Sequence, residues 1–415
     1  MTAQGVRPRA LTEYGHDHSR GTAVTGPSAT GTGTGTGPGA GSGPGTETGP
    51  SVVVAGTGAF AAALVRALAR YPRPVRTHVL SASAERAAYL AELAADHAFL
   101  TGARTTCTPH HIDPDDPEQP RRLLAALRPD ILVVATSEQS PAEARTAPSA
   151  WTDLLRQAGF GLTLPFQAAA AMAFADARAD AAPDTVLVNA CFPDAVNPLL
   201  SATGSPVACG LGNVATLGTA LSVRLGLSDQ RRLRLLAHHA HLHAPADEDH
   251  DVLGWLDGAP LTDPRSALAA VRARPRGHLN EIGAVAGAAA VMALAGGGPA
   301  YIGHLPGPNG LPGGYPVTVH HHDVRLRLPP GFTQEEAVAW NLRRAELDGT
   351  AVGPDGVTHL TPTALTALRD HWPGAPARYP PDELPHVRDR MTRLRARLRL
   401  LPALPPSESA DRHDH

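Results

Sequence analysis

No lysine occurs in the 415 residues, so all 36 of the Lys-plus-Arg positions are arginine. That absence excludes a Schiff-base lysine, a phosphate-loop lysine and a lysine acting as general acid or base. Pyridoxal-phosphate enzymes, P-loop NTPases and reductases that protonate through a Tyr-Lys pair are ruled out with it. Isoleucine (4) and asparagine (6) are scarce as well, which is the mark of a GC-rich coding sequence. The formal charge of −3 is nearly balanced and predicts no strong attraction to nucleic acid or to an anionic membrane. The three cysteines (Cys107, Cys191 and Cys209) lack C-x-x-C spacing, which predicts reduced thiols and a cytoplasmic location. No apolar run approaches the ~20 residues of a membrane span, and the first residues lack the apolar core of a signal peptide.

Residues 1–50 end in a Gly/Thr/Pro tract with nothing to bury, which predicts a disordered tail. From Ser51 onward, β-branched runs alternate with alanine-rich stretches. Strands are expected at 51–55, 75–80, 104–113, 129–137 and 184–192, with helices between them. Apolar strands alternating with helices imply an α/β fold, a Rossmann doubly wound parallel sheet covered on both faces, over 51–212. Over 213–350 an α+β second domain is expected to carry substrate and catalytic groups. In it, residues 232–243 and 315–328 alternate like strands, residues 281–295 form a helix, and a glycine closes the helix of EEAVAWNLRRAELDG. Residues 351–415 read as a helical extension with a disordered end, including one amphipathic Arg-rich helix at 387–400 whose charges form a solvated face.

Gly56-Thr57-Gly58-Ala59-Phe60-Ala61 lies between the first strand and the first helix, where a dinucleotide-binding turn belongs. Gly56 would make the tight turn, Gly58 would admit the pyrophosphate, and Ala61 would allow close helix–strand packing. The bland alternative is a structural glycine turn. NAD enzymes place an acid at the end of the second strand; here the chain reads Ser81-Ala82-Ser83-Ala84-Glu85-Arg86. Ser81, Ser83 and Arg86 suit a 2′-phosphate, so NADP is expected, with NAD left open by Glu85. Thr136 and Asn189, at the ends of the fourth and fifth strands, complete the expected cofactor contacts. Four of the six asparagines fall at 189, 197, 213 and 280. Asn197, Asn213 and Asn280 are candidate substrate contacts, although Asn197-Pro198 also suits a turn and Asn280 a helix cap.

The glycine turn, the run VNPLL (196–200) and VACGLGNVATLG (207–218) together resemble the lactate/malate dehydrogenase superfamily, which includes NAD- and manganese-dependent phosphoglycoside hydrolases. The segment YPVTVHHHDVRLRLPPGFTQEEAVAWNLRRAELDG resembles that family's C-terminal hairpin and final helix. The resemblance covers roughly 51–350. It implies a six-stranded Rossmann domain, an α+β catalytic domain and often a dimer or tetramer. Gly56, Gly58 and Asn197 match positions that contact cofactor or substrate in the family, and His241 falls near the register of its catalytic histidine. Arg145 is the only arginine near the position of the family's substrate loop. The family's Asp-x-x-Arg is absent from NVATLGTAL, and Gly212 stands where the hydrolases carry a metal-binding cysteine, although His239 could match their metal-binding histidine.

As a strand, 232–243 would project His239, His241 and His243 to one face and His238 to the other. Such a face serves proton transfer near neutral pH, could ligate a metal, or is a merely polar strand. His278 could face the cofactor or sit in a helix cap. The loop from His304 to Tyr315 is expected to be ordered and on the substrate side, and His320-His321-His322-Asp323 to lie at the surface. The expected function is an NAD(P)-dependent oxidoreductase moving hydride to or from a small C–O or C–N substrate, with His241, else His239 or His278, moving the proton and no metal assigned. The expected partners are a small-molecule substrate and, at most, a second copy in a homodimer, with no nucleic acid or membrane. A non-catalytic NAD(P)-binding sensor and a metal-assisted, NAD-using hydrolase or lyase are the alternatives.

Overall fold

A computed structural model describes residues 49–404 except residue 115; the expected tail up to residue 48 and the extreme C-terminus lie outside the described residues. The chain first lays down β1 (Ser51–Ala55), α1 (Ala59–Ala69), β2 (Val75–Ser81), α2 (Ala84–Thr101), β3 (Thr105–His111), α3 (Gln119–Leu127) and β4 (Ile131–Val134). Next come α4 (Glu143–Thr146), α5 (Ala150–Ala158), α6 (Leu164–Ala181), β5 (Val186–Asn189), α7 (Pro193–Ala202), β6 (Cys209–Gly210) and α8 (Asn213–Arg224). All six strands are parallel, in the order β3-β2-β1-β4-β5-β6. This is the Rossmann order, with the crossover between β1 and β4 leaving a crevice at the carboxyl edge. The sixth strand is only two residues long, too short to be legible as a periodic run.

Side chains alternate across the sheet. Val52 and Val54 enter a core shared with α1 and with elements of the second half, whereas Val53 and Ala55 enter one shared with α5, α6 and α7. Both faces are therefore dry, which explains why β1 and β4 are apolar without alternation.

The second half carries β7 (Leu233–Leu236), β8 (Leu253–Leu256), β9 (Ala259–Pro260), α9 (Pro264–Arg272), α10 (Arg276–Leu294), β10 (Tyr301–Pro306), β11 (Gly314–His320), β12 (Asp323–Leu326) and α11 (Gln334–Ala345). The chain then forms β13 (Thr350–Val352), β14 (Thr358–Leu360), α12 (Pro362–Arg369), β15 (Arg378–Tyr379) and α13 (Leu384–Leu398). Among the described helices, α10 alone is long and apolar enough to cross a membrane; 61% of that window is buried, as in a core helix.

Four sequence expectations change here. The strand expected over 232–243 stops at Leu236, and His239–Leu242 form a 3₁₀ turn. The His241 ring accepts the His238 amide at 2.7 Å and so stabilises a turn in place of a sheet ladder. The helix expected at 281 begins five residues earlier, after Pro275, so Asn280 lies inside it and does not cap it. The run 315–328 departs from the single strand that its alternation suggests and forms the hairpin that the family resemblance implies, turned at His321 and His322, both with left-handed φ (44° and 64°). Such a two-residue turn preserves alternation on both sides and is invisible to periodicity. Finally, the segment after 350 is not purely helical, because it contributes the sheet β13-β14-β15.

Candidate active site

At the end of β1, Gly56 has φ +129°, and a Cβ there would overlap the Ala135 carbonyl. Only glycine fits, and it turns the chain sharply into α1. Gly58 is extended and exposed, and a Cβ placed on it would meet nothing within 4 Å. Ala59 opens α1 beside it with no side-chain cap. The glycine turn therefore presents unobstructed backbone and a helix N-terminus at the carboxyl edge of the sheet, an arrangement that suits a pyrophosphate. Phe60 packs close to Gly212 and Gly283, where α1, α8 and α10 converge.

The side chains expected around this turn fall into two groups. Ser81 ends β2, and its hydroxyl lies 3.1 Å from that of Thr57. Ser83 caps α2 by accepting the Arg86 amide, and Glu85 and Arg86 are exposed in the first turn. No acid stands at the strand end itself. Thr136 follows β4, and its carbonyl accepts the Cys191 thiol at 3.1 Å, which pins the ends of β4 and β5 together. Burial pushes that thiol up to about 12.

Asn189 and Asn197 are completely buried and committed to one another. The Asn189 amide donates to the Cys191 carbonyl (3.0 Å) and to Asn197 Oδ1 (2.9 Å), while its oxygen accepts the Cys191 amide (2.9 Å). Asn197 in turn donates to the Gly307 carbonyl at 2.9 Å. These asparagines tie α7 and the loop after β10 to the sheet end. His304, expected in a substrate-side loop, is instead a fully buried residue of β10.

The histidines separate in the same way. His241 is fully buried; its Nδ1 accepts the His238 amide and its Nε2 donates to the His250 carbonyl at 2.8 Å. It stacks on Trp340, and burial pushes its pKa down to about 4. Both nitrogens are occupied, so it holds the turn together. His278 is exposed in the first turn of α10. Nearby, the pKa of Arg276 is lowered, first by burial and then by the charge of Arg145, so these two cations lie close enough to repel.

His239 is different. Its Nδ1 lies 3.1 and 3.0 Å from the two carboxylate oxygens of Asp348, and its side chain keeps 15% exposure. An N–H donated from Nδ1 to the carboxylate leaves Nε2 as the exchangeable nitrogen. The ring stacks on Phe160 (4.7 Å between centroids) and meets Phe192 edge-on (5.2 Å). Its backbone amide donates to Asp194 Oδ1, and Asp194 Oδ2 accepts from Asn213 Nδ2 at 3.1 Å. Phe192 directly follows the Cys191 anchor and has φ +45°, a costly conformation for an aromatic residue that the surroundings must enforce. Gly159, with φ +91°, packs its Cα against the Asp348 carbonyl where no side chain would fit. This close approach brings Phe160 and Asp348 to the same imidazole.

Asp348, Asp194, Phe160 and Phe192 were not indicated by the sequence reading. A carboxylate 109 positions from its histidine leaves no local spacing to recognise, and glycines at 159 and 349 were the only trace of the close contact.

No protein-family model matches the chain, and no curated protein matches it by sequence. Among solved structures, the chain is similar to malate and lactate dehydrogenases. Malate dehydrogenase from Cryptosporidium parvum aligns with TM-score 0.45 and 13% identity, over 72% of this chain and 97% of that one. The minor L-lactate dehydrogenase of Enterococcus mundtii aligns at 0.43 and 15%, over 72% and 96%. Malate dehydrogenase from Picrophilus torridus aligns at 0.42 and 14%, over 72% and 95%.

Proposed function

We propose that the chain is an NAD(P)-dependent oxidoreductase acting on a small C–O or C–N substrate, with His239 moving the proton. The observation that carries this reading is the His239–Asp348 pair, held beside the end of β5 in a sheet whose first turn is open at Gly58. Gly56, Gly58 and the first turn of α1 would hold the pyrophosphate. Thr57 and Ser81 would line the adenosine side, and Arg86 would favour a 2′-phosphate, so NADP is preferred over NAD. When bound, the nicotinamide supplies or accepts hydride.

The chain's own residues would do the rest. Asp348 fixes the imidazole with Nδ1–H towards the carboxylate, so that Nε2 takes a proton from an alcohol or amine, or returns one to a carbonyl or imine. Phe160 and Phe192 cover the ring and limit water beside it. No ion pair joins Arg145 or Arg276 to an acid among the described residues, and their charges would receive an anionic part of the substrate.

The reading is tested by titrating NADPH and NADH into the full-length protein, with Gly58→Trp as the blocked control. Binding to the wild type, weakened at least about tenfold by the tryptophan, is expected. Absence of binding by either nucleotide would overturn the proposal.

A further inference from the structure

Asp348 faces two imidazoles, not one. Besides His239, its Oδ2 lies 3.2 Å from Nδ1 of His238, which is 1% exposed. The approach is off the hydrogen-bond direction, and neither ring nitrogen of His238 has another partner among the described residues. A second carboxylate, Asp194, is also 1% exposed and receives the His239 amide. Two buried carboxylates thus share one neighbourhood, and no arginine forms an ion pair with either among the described residues. Uncompensated charges are expensive to bury, and the nearest available cations are the imidazoles.

The groups facing His238 come from three segments. They are Asp348 after α11, Asp194 on α7 and His241 in its own turn, with His239 beside it on the shared Asp348 carboxylate. His241 is held neutral by burial and by its two hydrogen bonds. Burial alone would depress the pKa of His238, but the two carboxylates more than offset this and raise it.

We propose that His238 is a resident imidazolium, a positioning residue that balances the charge of the buried Asp348–Asp194 pair holding the ring and amide of His239. This role rests on the reading of His239 as the proton carrier, yet the protonation state of His238 can be measured without substrate or nucleotide.

The test is ¹⁵N-histidine NMR of the full-length protein across pH 6–8.5. An ordinary imidazole titrates near 6.5, so at pH 7.5 one histidine should still show both ring nitrogens protonated. That signal should persist in His239→Asn and vanish in His238→Asn. Loss of the signal in His239→Asn, or its absence from the wild type, overturns the proposal even if His238→Asn does not fold. In an active enzyme, His238→Asn should lower kcat/KM roughly tenfold while nucleotide affinity stays unchanged. Unchanged kcat/KM contradicts the role. Failure to find turnover with any substrate counts against the oxidoreductase reading but leaves the NMR result standing.

Discussion

Arg399, just after α13, grips Glu143 of α4 with two hydrogen bonds of 2.7 and 2.6 Å. Two further ties run alongside: Arg388 pairs with the Glu138 carboxylate, and Arg395 donates to the Glu138 carbonyl at 2.7 Å while lying 3.9 Å over the Phe166 ring. The C-terminal helix thereby clamps the segment that follows β4 and carries Thr136 and Arg145.

Removing that clamp should loosen the segment before it unfolds the protein. Arg145 is exposed and trypsin can cut only at arginine here. In Arg388→Ala/Arg399→Ala, cleavage after Arg145 should accelerate about tenfold or more, with global stability lowered by about 1–2 kcal/mol. Mass spectrometry of timed digests reads the first, and urea unfolding the second. Equal cleavage rates would refute the clamp.

His239→Gln and Asp348→Asn should keep nucleotide affinity within about threefold of wild type while lowering kcat by about 10²–10⁴. Stopped-flow measurement of nicotinamide absorbance separates the two effects. Full activity in His239→Gln would transfer the proton-moving role elsewhere.

Two buried histidines should make the fold acid-sensitive. Burial depresses His241 to about 4 and, with the charge of Arg327, His304 to about 3. In both cases the folded pKa lies below the unfolded value of about 6.5, so the unfolded chain binds more protons. Stability is therefore intact above about 6.5 and falls as pH drops towards 4. By pH 5 the loss should be on the order of 2 kcal/mol per histidine. Urea midpoints at pH 7.5 and 5 test this, and His241→Gln should flatten the dependence.

Gly159→Ala should cost about 2 kcal/mol or more, because φ +91° and the Asp348 carbonyl both exclude a side chain. It should also displace Phe160 and Asp348 from His239, so activity should fall further than nucleotide binding. Thermal unfolding and paired kinetic assays check both parts.

The Rossmann half was legible because its signals are local. SVVVA and ILVV announce strands buried on both faces, and Gly56 and Gly58 mark a turn that needs glycine. The site itself was hidden by two effects. The alternation around His238–His243 imitates a strand, yet imidazole-to-backbone bonds close it into a turn. The acid that orients His239 arrives from the far end of α11, through a glycine-lined contact that leaves no periodic trace. NVATLGTAL lacks the family's Asp-x-x-Arg, and the carboxylate beside His239 comes from Asp348 on another element.

The thiol of Cys191, bonded across to the Thr136 carbonyl and held protonated by burial, makes the junction of β4 and β5 self-reporting. A thiol reagent can modify it only when those two strand ends part. Its labelling rate, with and without nucleotide, would then serve as a clock for the breathing of the crevice.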